Sequence, residues 1–308
     1  PVLSWDNLTT KGLIQVWPDA LLVWNETQRE EAVAIHGIPR EATVVTGSPF
    51  MDKWFERPGP PLGGQKFRET VGLAPGQRYV LYLGSSANIA RDESWLVARI
   101  AEGLAKSDDS RLREMAVLAR PHGANQEVFR GLSAPNLRVW LRHEQLPDSQ
   151  RSFAEYEASL RHSVCAVGLN TTAMVDALLA DRPVIAMTVK EYAETNASQA
   201  AHFRYLLDAD VYEQAPTPDA CAELVRRSLD GEDAKRASRK RFALDFVRPH
   251  GLETPAGENA ARAMEMAAQG VPAASIDEAL ATAAREGATV APASAAEGRG
   301  HGVGAAAS

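Results

Sequence analysis

The chain has 308 residues, 45% hydrophobic and 24% charged, with a formal net charge of −7 and a pI near 5.6. That is the composition of a globular protein with room for two domains, and its acidic balance excludes a general nucleic-acid binder, which needs a basic face to neutralise phosphates. Two cysteines make no disulfide framework, no apolar run reaches bilayer length, and no metal-ligand spacing occurs, so the expectation is a cytoplasmic protein without a metal site.

In chain order, Pro1 to Asp6 reads as a strand end running into a loop, so the sequence is expected to start inside a domain. Ser4 to Gly12 is a loop dense in polar groups, Ala20 to Trp24 a strand, Glu26 to His36 a helix and Thr43 to Thr46 a strand. Residues 1–55 thus form half of a βαβ arrangement, too little to bury a stable core alone. A linker is expected over 56–75, opened by the Pro/Gly-rich run from Glu56 to Lys66. Strands then alternate with helices: strand Tyr79–Leu83, helix Asp92–Leu104, strands Met115–Ala119 and Leu137–Trp140, and helix Phe153–His162. A strand over Val164–Val167, a helix spaced on Met174, Leu178 and Leu179, and a strand over Val184–Met187 follow. Helices over Pro218–Leu229, Lys235–Phe246 and Thr254–Ala268 close the series. Such alternation predicts an α/β protein with a parallel sheet covered on both faces. From Gln269 the Ala/Gly/Ser-rich sequence is expected to be mostly disordered, with a weakly helical stretch from Ile276 to Arg285.

Three strand ends carry polar residues. The first strand of the series ends in Gly84-Ser85-Ser86, a small hydroxyl-bearing turn suited to close phosphate approach. Met115–Ala119 ends in Arg120-Pro121-His122-Gly123, and Val164–Val167 in Gly168-Leu169-Asn170-Thr171-Thr172, which offers N-cap side chains to the next helix. In a parallel sheet these ends share one edge, where ligands bind. A helix start behind a buried strand aims free N–H groups and partial positive charge at an anion. Arg120 can pair bidentately with a phosphate, and His122 can donate a hydrogen bond or move a proton. Asp176 can accept from ribose hydroxyls or be an exposed helical carboxylate. In the first loop Asp6 can act as a base or orient an acceptor hydroxyl, Lys11 can meet an anion, and Trp5 offers a flat face to a sugar or base. Arg-Pro-His-Gly recurs at Arg248 to Gly251, as a second site or a turn, and His202 reads as a partly buried structural histidine.

With Ser4-Trp5-Asp6-Asn7, Val45-Thr46-Gly47-Ser48-Pro49, Arg120-Pro121-His122 and Gly168 through Met187, the chain resembles the GT-B superfamily of nucleotide-sugar-dependent glycosyltransferases. It looks closest to the bacterial surface-polysaccharide and CDP-glycerol glycerophosphotransferase-like branch, although Gly168-Leu169-Asn170-Thr171 stands where many relatives have Asp-Tyr-Ser-Ser. The resemblance covers about residues 1–268. It implies a complete C-terminal Rossmann-like domain over 76–250, the C-terminal remnant of an acceptor-side Rossmann-like domain over 1–55, and a crossover helix over 251–268. It further implies a nucleotide-diphosphate-activated donor as substrate, with no resident cofactor. Gly84, Ser85, Ser86, Arg120, Asn170, Thr171, Thr172 and Asp176 would surround that donor, with Asp6 and His122 as catalytic residues. The acceptor would be a saccharide or lipid-linked precursor at the cytoplasmic membrane. A nucleotide-sugar 2-epimerase of the same fold, or a non-catalytic nucleotide-sugar-binding protein, are the alternatives.

Overall fold

The computed structural model describes residues 1–56, 60–141, 149–195 and 200–290, with side chains described through 286. Residues 57–59 of the Pro/Gly run, 196–199 of the loop before His202, and 291–308 of the C-terminal stretch lie outside the described residues.

Strands β3 (Tyr79–Leu83), β4 (Ala116–Arg120), β5 (Leu137–Val139), β6 (Ala166–Gly168), β7 (Val184–Met187) and β8 (Glu213–Ala215) form one six-stranded sheet in the order β5-β4-β3-β6-β7-β8. Every neighbouring pair is parallel. The period of two in each strand splits the core. Tyr79, Leu81, Leu83, Ala116, Leu118, Ala166, Val184 and Ala186 point to one face, while Val80, Tyr82, Val117, Ala119, Val167, Ile185 and Met187 point to the other. Burial on both sides explains the unbroken apolar runs of the sequence. Helix α4 (Ser94–Ala105) and the helix Pro218–Leu229 cover the second face. Helices α3 (Gly64–Thr70), α6 (Gln150–Arg161) and α7 (Thr172–Leu179) supply Phe67, Phe153, Tyr156, Met174 and Leu178 to the first.

The N-terminal residues form a smaller unit: α1 (Asn7–Thr10), β1 (Leu21–Val23), α2 (Glu26–His36) and β2 (Thr43–Val45), with β1 and β2 paired in parallel. Its Trp5, Leu8, Trp24, Met51 and Trp54 join the first-face core of the large sheet, so the two units share one apolar cluster. The helix Arg236–Phe242 continues into a π-helical turn, Ala243–Val247, from which the chain crosses back to the small unit.

Two expectations are corrected here, and one left open is decided. The segment 56–75 contains α3, because Phe67 is fully buried against Tyr79 and Trp140. The stretch after Gln269 is helical over Ala273–Val290, because Ala273, Ile276 and Leu280 pack on Leu22 and Val44 of the small sheet. The second Arg-Pro-His-Gly is a packing element. Arg248 is buried, bonded to Asp52 and Glu56, and stacked 4.2 Å over Phe55, while His250 Nε2 lies 2.8 Å from the Val45 carbonyl.

Candidate functional site

The strand order reverses direction between β3 and β6, since β4 and β5 build outward on one side and β7 and β8 on the other. Ligand crevices of open parallel sheets form at such a switch point, outside the carboxyl ends of the strands. Two glycines let the turns approach each other there. A Cβ on Gly84 would lie 2.8 Å from Pro121 Cα and 3.0 Å from His122 N, and one on Gly168 would lie 2.8 Å from the Leu83 carbonyl oxygen. The Gly84 turn is therefore pressed against the Arg120-Pro121-His122 turn, and the three expected strand ends meet.

Arg120 closes β4 and is only 7% exposed. Its guanidinium stacks 4.0 Å over the Tyr156 ring of α6, and Nε has no hydrogen-bond partner among the described residues. Burial lowers its pKa, with Tyr156 and Asp176 opposing that shift. Asp176 sits one turn into α7, where the expectation was a ribose ligand or an exposed carboxylate. It is half-buried, and both oxygens are engaged: Trp54 Nε1 donates to Oδ1 at 2.8 Å and Tyr156 Oη to Oδ2 at 2.7 Å. Its pKa is raised, because burial outweighs those bonds and the nearby Lys53 and Arg120 charges. Asp176 thus fastens the small unit to α7.

The helix α7 starts at Thr172 with Thr171 as N-cap in extended conformation, and no side chain caps it. The expected side-chain cap is not made, so the first-turn N–H groups keep their capacity for another acceptor. Thr172 is exposed, yet its Oγ1 accepts from Trp5 Nε1 at 3.0 Å. Trp5 is itself 1% exposed and edge-packed on His202, Phe203 and Tyr205, so its faces are not open to a sugar or base. Thr172 and Asp176, four residues apart, share one helix face. That face receives an indole N–H from each of two distant tryptophans.

Asp6 accepts from Ser4 Oγ at 2.6 Å and pairs with Lys11 at 3.2 Å. Burial pushes its pKa up, but Ser4, Lys11 and His202 outweigh it and the net value is lowered. His202 is buried, its pKa lowered by desolvation against the opposing pull of Asp6.

On the other face, Ser85 was expected to face a phosphate. It is fully buried, its N–H bonded to Glu93 Oε1 and its Oγ 3.2 Å from Oε2, which also accepts from Tyr82 Oη at 2.8 Å. Ser86 is half-buried and its carbonyl accepts from the Ile89 and Ala90 N–H groups, closing the turn. Asn125 Nδ2 donates to the Ser85 and Ala90 carbonyls at 3.3 and 3.2 Å, clamping that turn to the next. His122 Nδ1 accepts from the Ala124 N–H at 3.2 Å, a geometry that assigns the ring proton to Nε2. Asn170 is half-buried.

Arg120, Asn170, Thr171, Thr172 and Asp176 therefore come together with Gly84 on the first-face side of the switch point. Ser85 turns away to Glu93, and Asp6 is engaged by Ser4 and Lys11. Trp54, Tyr156, Glu93 and Asn125 were not anticipated, for their hydrogen-bond partners lie between 8 and 122 residues away, nor was Lys53, which reaches the Phe153 ring. The only trace of Tyr156 in the sequence is an aromatic at helical spacing from Phe153. Among the described residues no group of three or more His, Cys, Asp or Glu is placed to hold a metal ion, and no helix is long and apolar enough to cross a membrane.

No protein-family model matches the sequence, and no curated protein sequence is significantly similar to it. Solved structures share the fold. A Listeria monocytogenes protein assigned as a UDP-N-acetylglucosamine 2-epimerase superposes with a TM-score of 0.53 at 12% identity, over 80% of this chain and 60% of that one. MnaA of S. aureus, solved with UDP, gives 0.53 at 11% identity, over 82% and 61%. The wall teichoic acid polymerase TagF gives 0.52 at 12% identity, over 87% and 59%. The chain is an α/β protein of the GT-B-like, Rossmann-like fold and spans about 60% of the length of these structures.

Proposed function

We propose that this chain holds a nucleotide-diphosphate-activated donor at the switch point and serves transfer of its glycosyl or glycerophosphoryl group to a saccharide or lipid-linked precursor of a cell-surface polysaccharide. The observation that carries the reading is Arg120: a buried, pre-stacked guanidinium with an unused Nε–H, beside a helix start without a side-chain cap. Group transfer from such a donor leaves negative charge on the departing phosphate, and fixed donors in a water-poor crevice stabilise that charge most. Arg120 meets two phosphate oxygens, the first-turn N–H groups of α7 meet others, and His122 donates through Nε2. Asp6, kept ionised by Ser4 and Lys11, is committed to those partners and takes no part in holding the donor.

MnaA and the Listeria protein, both of this fold, suggest a nucleotide-sugar 2-epimerase as the alternative. It requires an acid–base pair against the sugar, and the carboxylates of Asp6 and Asp176 are already committed to Lys11 and to Trp54 and Tyr156. A protein that binds the donor without turning it over is told apart by product analysis after binding is established. Calorimetry with UDP, CDP and GDP tests the reading, with one of the three expected to bind. Arg120→Ala should weaken that diphosphate by about 10-fold or more, the size of a lost charge-assisted contact, and leave the nucleoside unaffected. Binding of none of the three, or equal loss of diphosphate and nucleoside, refutes it.

A further inference from the structure

Arg120 is held in place by a ring rather than by an acid. Its guanidinium lies 4.0 Å over the Tyr156 ring, its Nε has no hydrogen-bond partner, and no carboxylate pairs with it among the described residues. A stacked ring covers one face of the planar guanidinium and leaves the N–H donors, which lie in its plane, for an incoming acceptor. A carboxylate would take those donors itself. The Tyr156 ring is in turn fixed at its hydroxyl and at its edge. It is 3% exposed on α6, and its Oη donates to Asp176 Oδ2 at 2.7 Å. The other Asp176 oxygen accepts from Trp54 Nε1 at 2.8 Å, and the Trp54 ring packs on Tyr156 at 5.8 Å with the planes 71° apart. Trp54 closes the turn Pro49–Trp54 of the small unit and is itself buried. One chain of contacts therefore runs from Trp54 through Asp176 and Tyr156 to Arg120, across the seam and out to the carboxyl end of β4.

We propose that Tyr156 is the positioning residue for Arg120 and that Trp54 locks it from the N-terminal unit, so that anion affinity at the large sheet depends on the seam between the units. The inference rests on the donor-binding reading only for the identity of the anion, the diphosphate of the donor. A tyrosine held at both hydroxyl and edge presents one ring plane, and the stacked guanidinium takes its own plane from it. The fork is then set before the ligand arrives, and little rotamer freedom is left to lose on binding. Without the indole N–H, Asp176 keeps one of its two anchors, and the Tyr156 ring and the fork above it can tilt. The small unit thus acts on the anion through Tyr156.

Calorimetry of the whole chain tests this with inorganic pyrophosphate, with the nucleoside diphosphate that binds, and with its nucleoside. Tyr156→Leu should raise Kd for pyrophosphate and the diphosphate about 10-fold and leave the nucleoside unchanged, while Tyr156→Phe, which keeps the ring, should cost only about threefold. Trp54→Phe, which keeps the ring contacts but not the N–H, should also cost about threefold. In an Arg120→Lys background, where the cation has no plane to align, Tyr156→Leu should change Kd by less than about twofold. Should Tyr156→Leu fail to fold, Tyr156→Phe and Trp54→Phe carry the test, their smaller losses vanishing with Arg120→Lys. Wild-type affinity in Tyr156→Leu (or, in its place, Tyr156→Phe) or in Trp54→Phe overturns the proposal. So does a loss that persists undiminished with Arg120→Lys, or one that falls equally on the nucleoside. The expected pattern for pyrophosphate, with no nucleoside diphosphate bound, overturns the donor reading and leaves the positioning role standing. Absence of binding by pyrophosphate and by every nucleoside diphosphate overturns both.

Discussion

Glu93→Gln should remove a large part of the protein's pH dependence of stability. Glu93 is fully buried between β3 and α4, accepting from the Ser85 N–H, from Ser85 Oγ at 3.2 Å and from Tyr82 Oη at 2.8 Å. Burial dominates and pushes its pKa from 4.5 to about 7; the three donors pull it down without prevailing. The folded state therefore holds this proton more tightly than the unfolded chain does. Its contribution is greatest below pH 4.5, declines as pH rises, and is lost by the time pH has passed through about 7. Each pH unit in that window costs about 1.4 kcal/mol, so ionising Glu93 removes about 3 kcal/mol. Glutamine keeps the shape and stays neutral: its carbonyl accepts from the Ser85 N–H, and the Tyr82 hydroxyl rotates to accept from its amide. Urea unfolding followed by circular dichroism, run at intervals from pH 5 to pH 8, reads the effect. Glu31, also pushed to about 7 by burial, contributes to both proteins and cancels in the difference. Wild type should lose about 2.5 kcal/mol more than the variant across that range, the rest having gone below pH 5. Parallel curves would refute the account of a buried, costly carboxylate.

The remaining predictions concern the seam between the units and the crowded turns. Trp54→Phe keeps the ring contacts with Phe153 and Tyr156 but takes the N–H from Asp176, and should cost about 1–3 kcal/mol in urea unfolding; a change well under that range would mean the indole bond contributes nothing net. Gly84→Ala places a methyl 2.8 Å from backbone at Pro121, and should cost about 1–3 kcal/mol and weaken diphosphate binding by moving Arg120; unchanged stability and affinity would show that the two turns can separate freely.

How much was legible in the sequence differs from element to element. Tyr79–Leu83 and Val184–Met187 could be placed to the residue, because a strand buried on both faces writes itself as a bounded apolar run. β8 could not, since Glu213-Gln214-Ala215 is a partly exposed edge that becomes a strand by pairing with β7. The helical stretch expected over Ile276–Arg285 is part of a longer helix, Ala273–Val290, whose packing on the small sheet through Ala273, Ile276 and Leu280 the Ala-rich composition did not show. At the site, local rules placed Gly84, Arg120 and the α7 start on one sheet edge, because parallel strands put all their carboxyl ends there.

The fate of each polar side chain there was decided elsewhere. Thr172 and Asp176 sit one turn apart by sequence alone, but the indoles that engage them come from 167 and 122 residues away. Ser85 looked like a phosphate ligand until the fold buried it against Glu93. No local rule singles out Lys53, which the fold lays over the Phe153 ring 100 residues on. Periodicity and turn chemistry are properties of neighbouring residues, so the sequence by itself determined the elements and the edge where a ligand would sit. Desolvation and unmet charge depend on what distant segments bring into contact, so only the tertiary structure decided which of its polar groups remain free to bind it.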